Sequence, residues 1–441
     1  MPKVLFIQAS QYYSNEVDVV KQKKLYLPGL VFPLLSTYVP KHWDVEVVIE
    51  VIDSIDFDSD ADIIGIGAMG HAVFRGFDIA QEFKKRNKTV FMGGYMASLI
   101  TEIVLENADS VIVGDAEISL PKLLDDFEKT GNIKKIYDNP LENLNNLPVP
   151  NYKVLTEKKI GDMLPVQAGR GCNHSCSFCS IACLYKGKHM VRPVDEVIRD
   201  IKAIKALGYK KFYIIDDNLV ADPNYLKKLC NEIKPLKMKW SSQCTMNLAK
   251  DEELLKLVAD SGCEILSLGI ESISQEGLDK LEKNWLKVSE HEKLIENFNK
   301  AGIMISAEMV IGTDGDTNLA IRETYEFIER VKLPLVRVYI LTPVPKTTLY
   351  SELKENNRLI HEDYRKYNAS ECVHFPKKIT HQELTDSYEW MNKKIFSLKS
   401  IFSRTLFNKQ IIKHPYNYLF AFAVNLHYRS YVKKGETPLI V

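Results

Sequence analysis

Residues 169–189 read GRGCNHSCSFCSIACLYKGKH and place Cys172, Cys176, Cys179 and Cys183 within twelve positions of a 441-residue chain that has eight cysteines. The first three have the spacing C-x3-C-x2-C and follow a strand-like run, LPVQAGR (164–170). Three thiolates on one loop suit three corners of a cubane iron–sulfur cluster, because soft sulfur ligands select iron–sulfur and zinc sites. The fourth iron of such a cluster stays open to a substrate or cofactor. Cys183, four residues after Cys179, offers a second reading: as a fourth thiolate it closes the cluster, which then serves electron transfer or structure. A zinc site is the third reading; it takes four ligands, and His174 or His189 could complete it. Cys230, Cys244, Cys263 and Cys372 are scattered among apolar or helical surroundings and read as packing residues.

Polar residues stand at the ends of several apolar runs further along. IIDDN (214–218) brings Asp217 and Asn218, SLGIES (267–272) brings Glu271 and Ser272, and ISAEMVIG (305–312) carries Glu308. A carboxylate that ends an apolar strand, as Glu271 does, needs a polar partner. Glu308 reads either as a functional group or as a paired acid inside a barrel. Asp222 followed by Pro223 has the form of an N-cap and first helical turn, so the acids before it also have a local explanation in that helix end.

These groups need a scaffold that presents strand ends on one side. Over the first ~130 residues, short Val- and Ile-rich runs alternate with helix-period segments: KVLFI (3–7), VEVVIEVI (45–52), DIIGIGAM (62–69), TVFMGG (89–94) and DSVIVGD (109–115). That alternation predicts an α/β domain with a doubly wound parallel sheet. Gly65, Gly67, Gly70, Gly93, Gly94 and Gly114 follow these strands, at the edge where such sheets bind ligands; ordinary strand-to-helix turns would also use them. The polar, proline-punctuated stretch 137–155 reads as a connector. Beyond it come LPVQAGR, KFYIID (211–216), KWSSQC (239–244), ILSLGI (265–270), MISAEMVIG (304–312) and LVRVYILTP (335–343), six strands with helices between them. They predict a partial (β/α)6 barrel with its chemistry at the carboxyl ends of the strands. The resulting division is 1–135, a Rossmann-like domain; 136–160, a linker; 161–355, the barrel; and 356–441, a helical appendage.

Fifty-eight basic residues balance fifty-eight acidic ones, so no global field draws nucleic acid or an anionic membrane. The amino terminus lacks a signal-peptide pattern and no run reaches membrane-spanning length, which points to the cytoplasm, where clustered cysteines serve metals or redox chemistry more than disulfides. The stretch 414–434, HPYNYLFAFAVNLHYRSYVKK, is aromatic and apolar with a basic end. Packing on the domain core is the expectation for it, with a membrane surface or a lipid substrate as the alternative.

CNHSCSFC resembles the CxxxCxΦC signature of radical S-adenosylmethionine (SAM) enzymes, with Phe178 before the third cysteine. The resemblance implies a [4Fe–4S] cluster on Cys172, Cys176 and Cys179 with SAM on the unique iron, and makes Cys183 a bystander. It further implies SAM contacts from Phe178 in the signature, from Asp217 and Asn218 after the second barrel strand, from Glu271 and Ser272 after the fourth, and from Glu308 and its segment. The stretches 27–40, 64–76 and 90–117 resemble the cobalamin-binding domain that precedes many such barrels. The D-x-H-x-x-G motif of other cobalamin proteins is absent, so the expectation is base-off cobalamin without a histidine ligand, its nucleotide tail near Gly67, Gly93, Gly94 and Gly114. His71 reads as a loop residue. The first domain contains no cysteine, which argues against the methylthiotransferases, whose first domain carries a second cluster.

The function so implied is that of a cobalamin-dependent radical SAM methyltransferase. A 5′-deoxyadenosyl radical removes hydrogen from an unactivated carbon of a small-molecule or lipid substrate, methylcobalamin delivers the methyl group, and flavodoxin or ferredoxin supplies electrons. Alternatives are a cyclase, rearrangement or oxidation enzyme using the same cofactors, a radical SAM enzyme with a vestigial cobalamin domain, and a non-enzymatic iron–sulfur sensor or electron carrier.

Overall fold

The computed structural model describes residues 1–438. The chain forms two compact units, residues 1–166 with 195–209, and residues 167–194 with 210 onward.

In the first unit, strands β1 (Lys3–Gln8), β2 (Asp44–Ile49), β3 (Ile63–Gly67), β4 (Thr89–Gly93), β5 (Ser110–Val113) and β6 (Ile136–Asp138) form one sheet in the order β2-β1-β3-β4-β5-β6. Every pairing is parallel. Val4, Leu5, Phe6 and Ile7 are all buried, as expected of a parallel strand covered on both faces, which is why β1 reads as an unbroken apolar run. The chain leaves β1 toward one side for β2 and returns on the other side for β3. That reversal opens a crevice at the carboxyl ends of β1 and β3. Five strands were anticipated and six are present. The sixth falls at the start of the expected connector, has three residues and buries only Tyr137, so it carries no apolar pattern of its own and is defined by its pairing with β5.

The second sheet contains β7 (Met163–Gln167), β10 (Lys211–Ile215), β11 (Lys239–Cys244), β12 (Cys263–Glu271), β13 (Met304–Ile311) and β14 (Leu335–Ile340) in sequence order, with parallel pairing from β10 to β14. Helices start where their caps dictate. The Asp222 carboxylate accepts from the Asn224 and Tyr225 amides at 3.0 Å each, Asp251 caps Glu252–Asp260, and Thr317 caps Asn318–Arg330. Each such cap contributes about 1 kcal/mol. The expected strand over 164–170 is broken: β7 ends at Gln167, and β8 (Gly169–Gly171) turns aside to pair antiparallel with β9 (His189–Val191). The cysteine-bearing segment is the excursion between these two short strands.

Helical structure at the carboxyl end begins later than the anticipated residue 356. Residues 356–380 hold a short 3-10 turn (Tyr364–Lys366) and a bridge between Leu359 and His374. Side chains stabilise this stretch, through Tyr350, Tyr367 and Val373 and the Tyr350 hydroxyl bond to Glu362 at 2.9 Å. Helices His381–Ile395, Leu398–Arg404 and Pro415–Val432 follow; residues 439–441 of the region expected to be helical lie outside the described residues. The aromatic stretch packs one face on the barrel, where Tyr418 and Ala421 meet Met304 and Leu335.

Candidate active site

The thiol loop is held by its backbone and by one aromatic anchor. The Cys179 amide donates to the Cys176 carbonyl at 3.1 Å, and the Leu349 amide to the Ser177 carbonyl at 2.9 Å. Phe178 packs against Leu281, Val310, Leu341, Leu349 and Leu353, which fixes the loop from its apolar side. Cys176 is buried and Cys172 and Cys179 are half-buried. Burial pushes all three thiols up, Cys176 to about 12, and each is raised further by neighbouring negative charge. Bare thiols here keep their protons, and the positive charge of bound metal would offset that cost.

The other candidate ligands have partners elsewhere. The Cys183 thiol donates to the Lys346 carbonyl at 3.3 Å. His174 lies flat on Trp285, with ring centroids 4.0 Å apart and planes 8° apart, and His189 shares a hydrogen bond of 3.0 Å with the buried Asp216. Among the described residues no three His, Cys, Asp or Glu side chains gather closely enough for a single ion. A cubane sets each thiolate on a different iron, so three thiols on one loop with the fourth turned away match a cluster with one free corner.

Glu271 is brought to this loop by an irregularity in β12. Pairing with β13 shifts register between Gly269 and Glu271, and Glu271 has φ 60°, in the left-handed region. A bulge re-aims a side chain, and a non-glycine residue held in this conformation costs about 1–3 kcal/mol. The carboxylate accepts from Lys283 Nζ at 2.7 Å with both side chains buried. A Cβ on Gly269 would lie 2.4 Å from Glu271 Oε1 and 3.0 Å from Lys283 Nζ, so the pair occupies the space a side chain would need. Burial alone would pull the ammonium down; Glu271 and the Cys176 and Cys179 sulfurs outweigh it and hold Lys283 above the usual lysine value. Lys283 also sits 5.5 Å over the Trp285 ring. Neither Lys283 nor Trp285 was anticipated. Lys283 is one of 58 basic residues, and nothing in its neighbourhood marks it as the partner that Glu271 required.

Asp217 and Asn218 stand just beyond β10. The Gly171 amide donates to Asp217 Oδ2 at 2.7 Å, while burial, aided by Asp216, raises that carboxyl to about 6. The Asn218 side chain donates to Asn173 Oδ1 at 3.2 Å and its own Oδ1 is buried without a protein partner. A cavity of about 230 Å³ opens beside it, lined in part by Asn173, His174, Thr245, Asn247 and Asp251. Thr245 Oγ1 and Asn247 Oδ1 are likewise buried without a protein partner. Ser272, next to Glu271, is buried and accepts from the Ser274 amide at 3.0 Å. Glu308 is not part of this group. Halfway along β13 it is bonded to Arg337 and, at 2.9 Å, to Ser267, as a paired acid of the barrel interior.

In the first unit, Gly67 and Gly93 are register partners at the ends of β3 and β4. Gly94 has φ 113° and a Cβ there would strike the Ala68 carbonyl at 2.6 Å; a Cβ on Gly67 would meet the Phe32 ring at 2.9 Å. Packing within the protein accounts for these two. At Gly114, with φ 69°, nothing lies within 4 Å, and at Gly93 the nearest atom is 3.7 Å away. These two leave open backbone at the carboxyl edge, the kind of surface a large flat cofactor can approach closely. His71, in a 3-10 turn after β3, packs its ring on Phe74 at 5.2 Å.

Residues 166–358 match the Radical SAM superfamily. Bacteriochlorophyllide d C-12(1)-methyltransferase of Chlorobaculum tepidum is 27% identical over 381 residues, 84% of this chain and 83% of that protein. Bacteriochlorophyllide d C-8(2)-methyltransferase of the same organism is 28% identical over 410 residues, 89% of this chain and 90% of that protein. The cobalamin-dependent radical enzyme OxsB, solved with aqua-cobalamin and SAM, aligns with a TM-score of 0.70 at 14% identity over 98% of this chain and 72% of its own. Residues 166–358 are thus similar to the radical SAM superfamily, and the chain as a whole has the fold seen in OxsB.

Proposed function

We propose that this enzyme is a cobalamin-dependent radical SAM methyltransferase acting on an unactivated carbon of a small-molecule or lipid substrate. The observation that carries the reading is the loop of three thiols whose fourth cysteine is turned to Lys346, beside the buried Glu271–Lys283 pair. Methyltransferases named for carbon positions of a bacteriochlorophyllide, similar over most of the chain, favour methyl transfer to carbon. When bound, the cluster and SAM supply the radical that abstracts hydrogen, and cobalamin carries the methyl group.

In this reading Cys172, Cys176 and Cys179 bind three irons as thiolates. Phe178 holds the loop against the core. Asn218 Oδ1, buried and unpartnered, accepts from the SAM amino group, with Asp217 beside it. Glu271 and Ser272 face the methionine and ribose parts. Lys283 neutralises Glu271 and moderates the negative charge of the thiolates. Glu308, tied to Arg337, supports the barrel wall next to the adenine segment. Gly67, Gly93, Gly94 and Gly114 would form the edge that receives cobalamin. A flavodoxin- or ferredoxin-type protein supplies electrons.

Anaerobic protein supplied with cobalamin should retain about four irons and one cobalt per chain after gel filtration. With candidate substrates and methyl-labelled SAM, product should gain one labelled methyl group and 5′-deoxyadenosine should be released. Product without 5′-deoxyadenosine overturns the radical route, and turnover without a mass gain assigns the same cofactors to cyclisation or rearrangement.

A further inference from the structure

The second face of helix Pro415–Val432 has no role in the proposed reaction. One face, with Tyr418, Ala421, Asn425 and Tyr428, is buried on the barrel; the opposite stripe, Tyr416, Leu419, Phe420, Ala423 and Leu426, is exposed. These residues recur at three- and four-residue spacing, so the exposed stripe is continuous and apolar. Phe407 and Ile412 in the preceding turn extend it, at 70% and 85% exposure, with Tyr416 at 86%. Phe402 links Phe407 to Phe422 of the helix through ring contacts of 6.0 and 5.2 Å. Of nineteen exposed large apolar residues among those described, six lie between 407 and 426. Scattered surface leucines need no explanation, but a contiguous patch does.

Charge selects the occupant. The chain as a whole is neutral, yet residues 390–435 contain no Asp or Glu and nine Lys or Arg. Arg404 is buried, but Lys409 and Lys413 just before the helix, Lys433 and Lys434 just after it, and Lys394 and Lys399 on the preceding helices are exposed. An apolar strip with aromatic residues and a basic rim complements an anionic bilayer surface. No helix among the described residues is long and apolar enough to cross a membrane, which fits a helix lying in the interface. An acidic redox protein fits less well. The helix packs at Met304 and Leu335, the first residues of β13 and its neighbour β14, whereas Glu271, beside the thiols, ends β12. Glu271 pairs with Met309, five residues beyond Met304 on β13, so these ends lie about 17 Å apart.

We infer that the carboxyl-terminal helix docks the enzyme on anionic membrane through Phe407, Ile412, Tyr416, Leu419, Phe420 and Leu426, with the surrounding lysines binding lipid headgroups. The test uses the full chain, loaded with iron and cobalamin, and sedimentation with phosphatidylcholine vesicles containing about 30% phosphatidylserine. Wild-type protein should co-sediment, and do so less in high salt or with phosphatidylcholine alone. Leu419→Asp with Phe420→Asp should lower the partition constant at least about tenfold. Lys409→Glu with Lys413→Glu should lower it at least about 25-fold, since each lysine near an anionic surface contributes about fivefold. All four positions are exposed, so iron content and melting temperature should stay at wild-type values. Absence of wild-type co-sedimentation, or equal binding by both variants, overturns the proposal. A concentration-dependent dimer that the Leu419/Phe420 variant converts to monomer also overturns it and assigns the face to a second copy of the chain.

Discussion

Lys283 gives the sharpest test of the site as described. Its ammonium lies 2.7 Å from Glu271 Oε1 with both side chains buried, a separation at which the gross attraction is about 6 kcal/mol at an effective dielectric near 20. Desolvation of both ions offsets much of this, so the pair adds little net stability; removing one partner is another matter, because the remaining charge stays buried. Lys283→Met should cost about 3–5 kcal/mol. Glu271→Gln should cost less, since the Gln carbonyl still accepts from Lys283. The double variant removes both charges of the pair, so it should lose less than the two single variants together by at least about 2 kcal/mol. The assay is anaerobic urea unfolding of the cluster-loaded protein followed by tryptophan fluorescence, with iron content measured on the same samples. Lys283→Met should also lower iron retention, because it removes a buried cation that favours the thiolate forms of Cys172 and Cys176. Additivity of the two substitutions within about 0.5 kcal/mol would refute the coupling.

Three further outcomes follow from named residues. Cys183→Ser should leave about four irons per chain, whereas Cys176→Ser should remove most of them; equal loss from both by iron assay would make Cys183 a ligand. His291 is fully buried with neither ring nitrogen partnered among the described residues, and burial lowers its pKa to about 4. The unfolded ring titrates near 6.5, so the unfolded state binds the extra proton between these values. Stability should therefore be undiminished by this group above about pH 6.5 and fall by up to about 3 kcal/mol toward pH 4. Melting curves of His291→Leu should lack that part of the acid sensitivity, and a gap between variant and wild type that is constant with pH would contradict it. Arg404, also fully buried, donates to the Leu333 and Ile395 carbonyls at 2.8 Å each and to Asn425 Oδ1 at 3.1 Å. Arg404→Met should cost about 3–5 kcal/mol and speed amide exchange in Pro415–Val432 while sparing the thiol loop; unchanged exchange in that helix would show that Arg404 does not hold it.

The sequence by itself determined the features whose physics is local. Cysteine spacing on one short loop limits which metal centres those thiols can hold, apolar runs four to nine residues long mark buried parallel strands, and Asp222 announces its helix because a cap bonds within one turn. Tertiary structure decided whatever depended on which segments meet. Glu271 needed a polar partner, but Lys283 was identifiable only once the β12 bulge and the turn after it closed on each other. β6 exists through its pairing with β5, and the 169–171 segment left its strand because 189–191 was there to pair with it. The helix at 415–432 is apolar on nearly every side, so periodicity could not say which face would be buried; docking on Met304 and Leu335 chose one and left the other exposed.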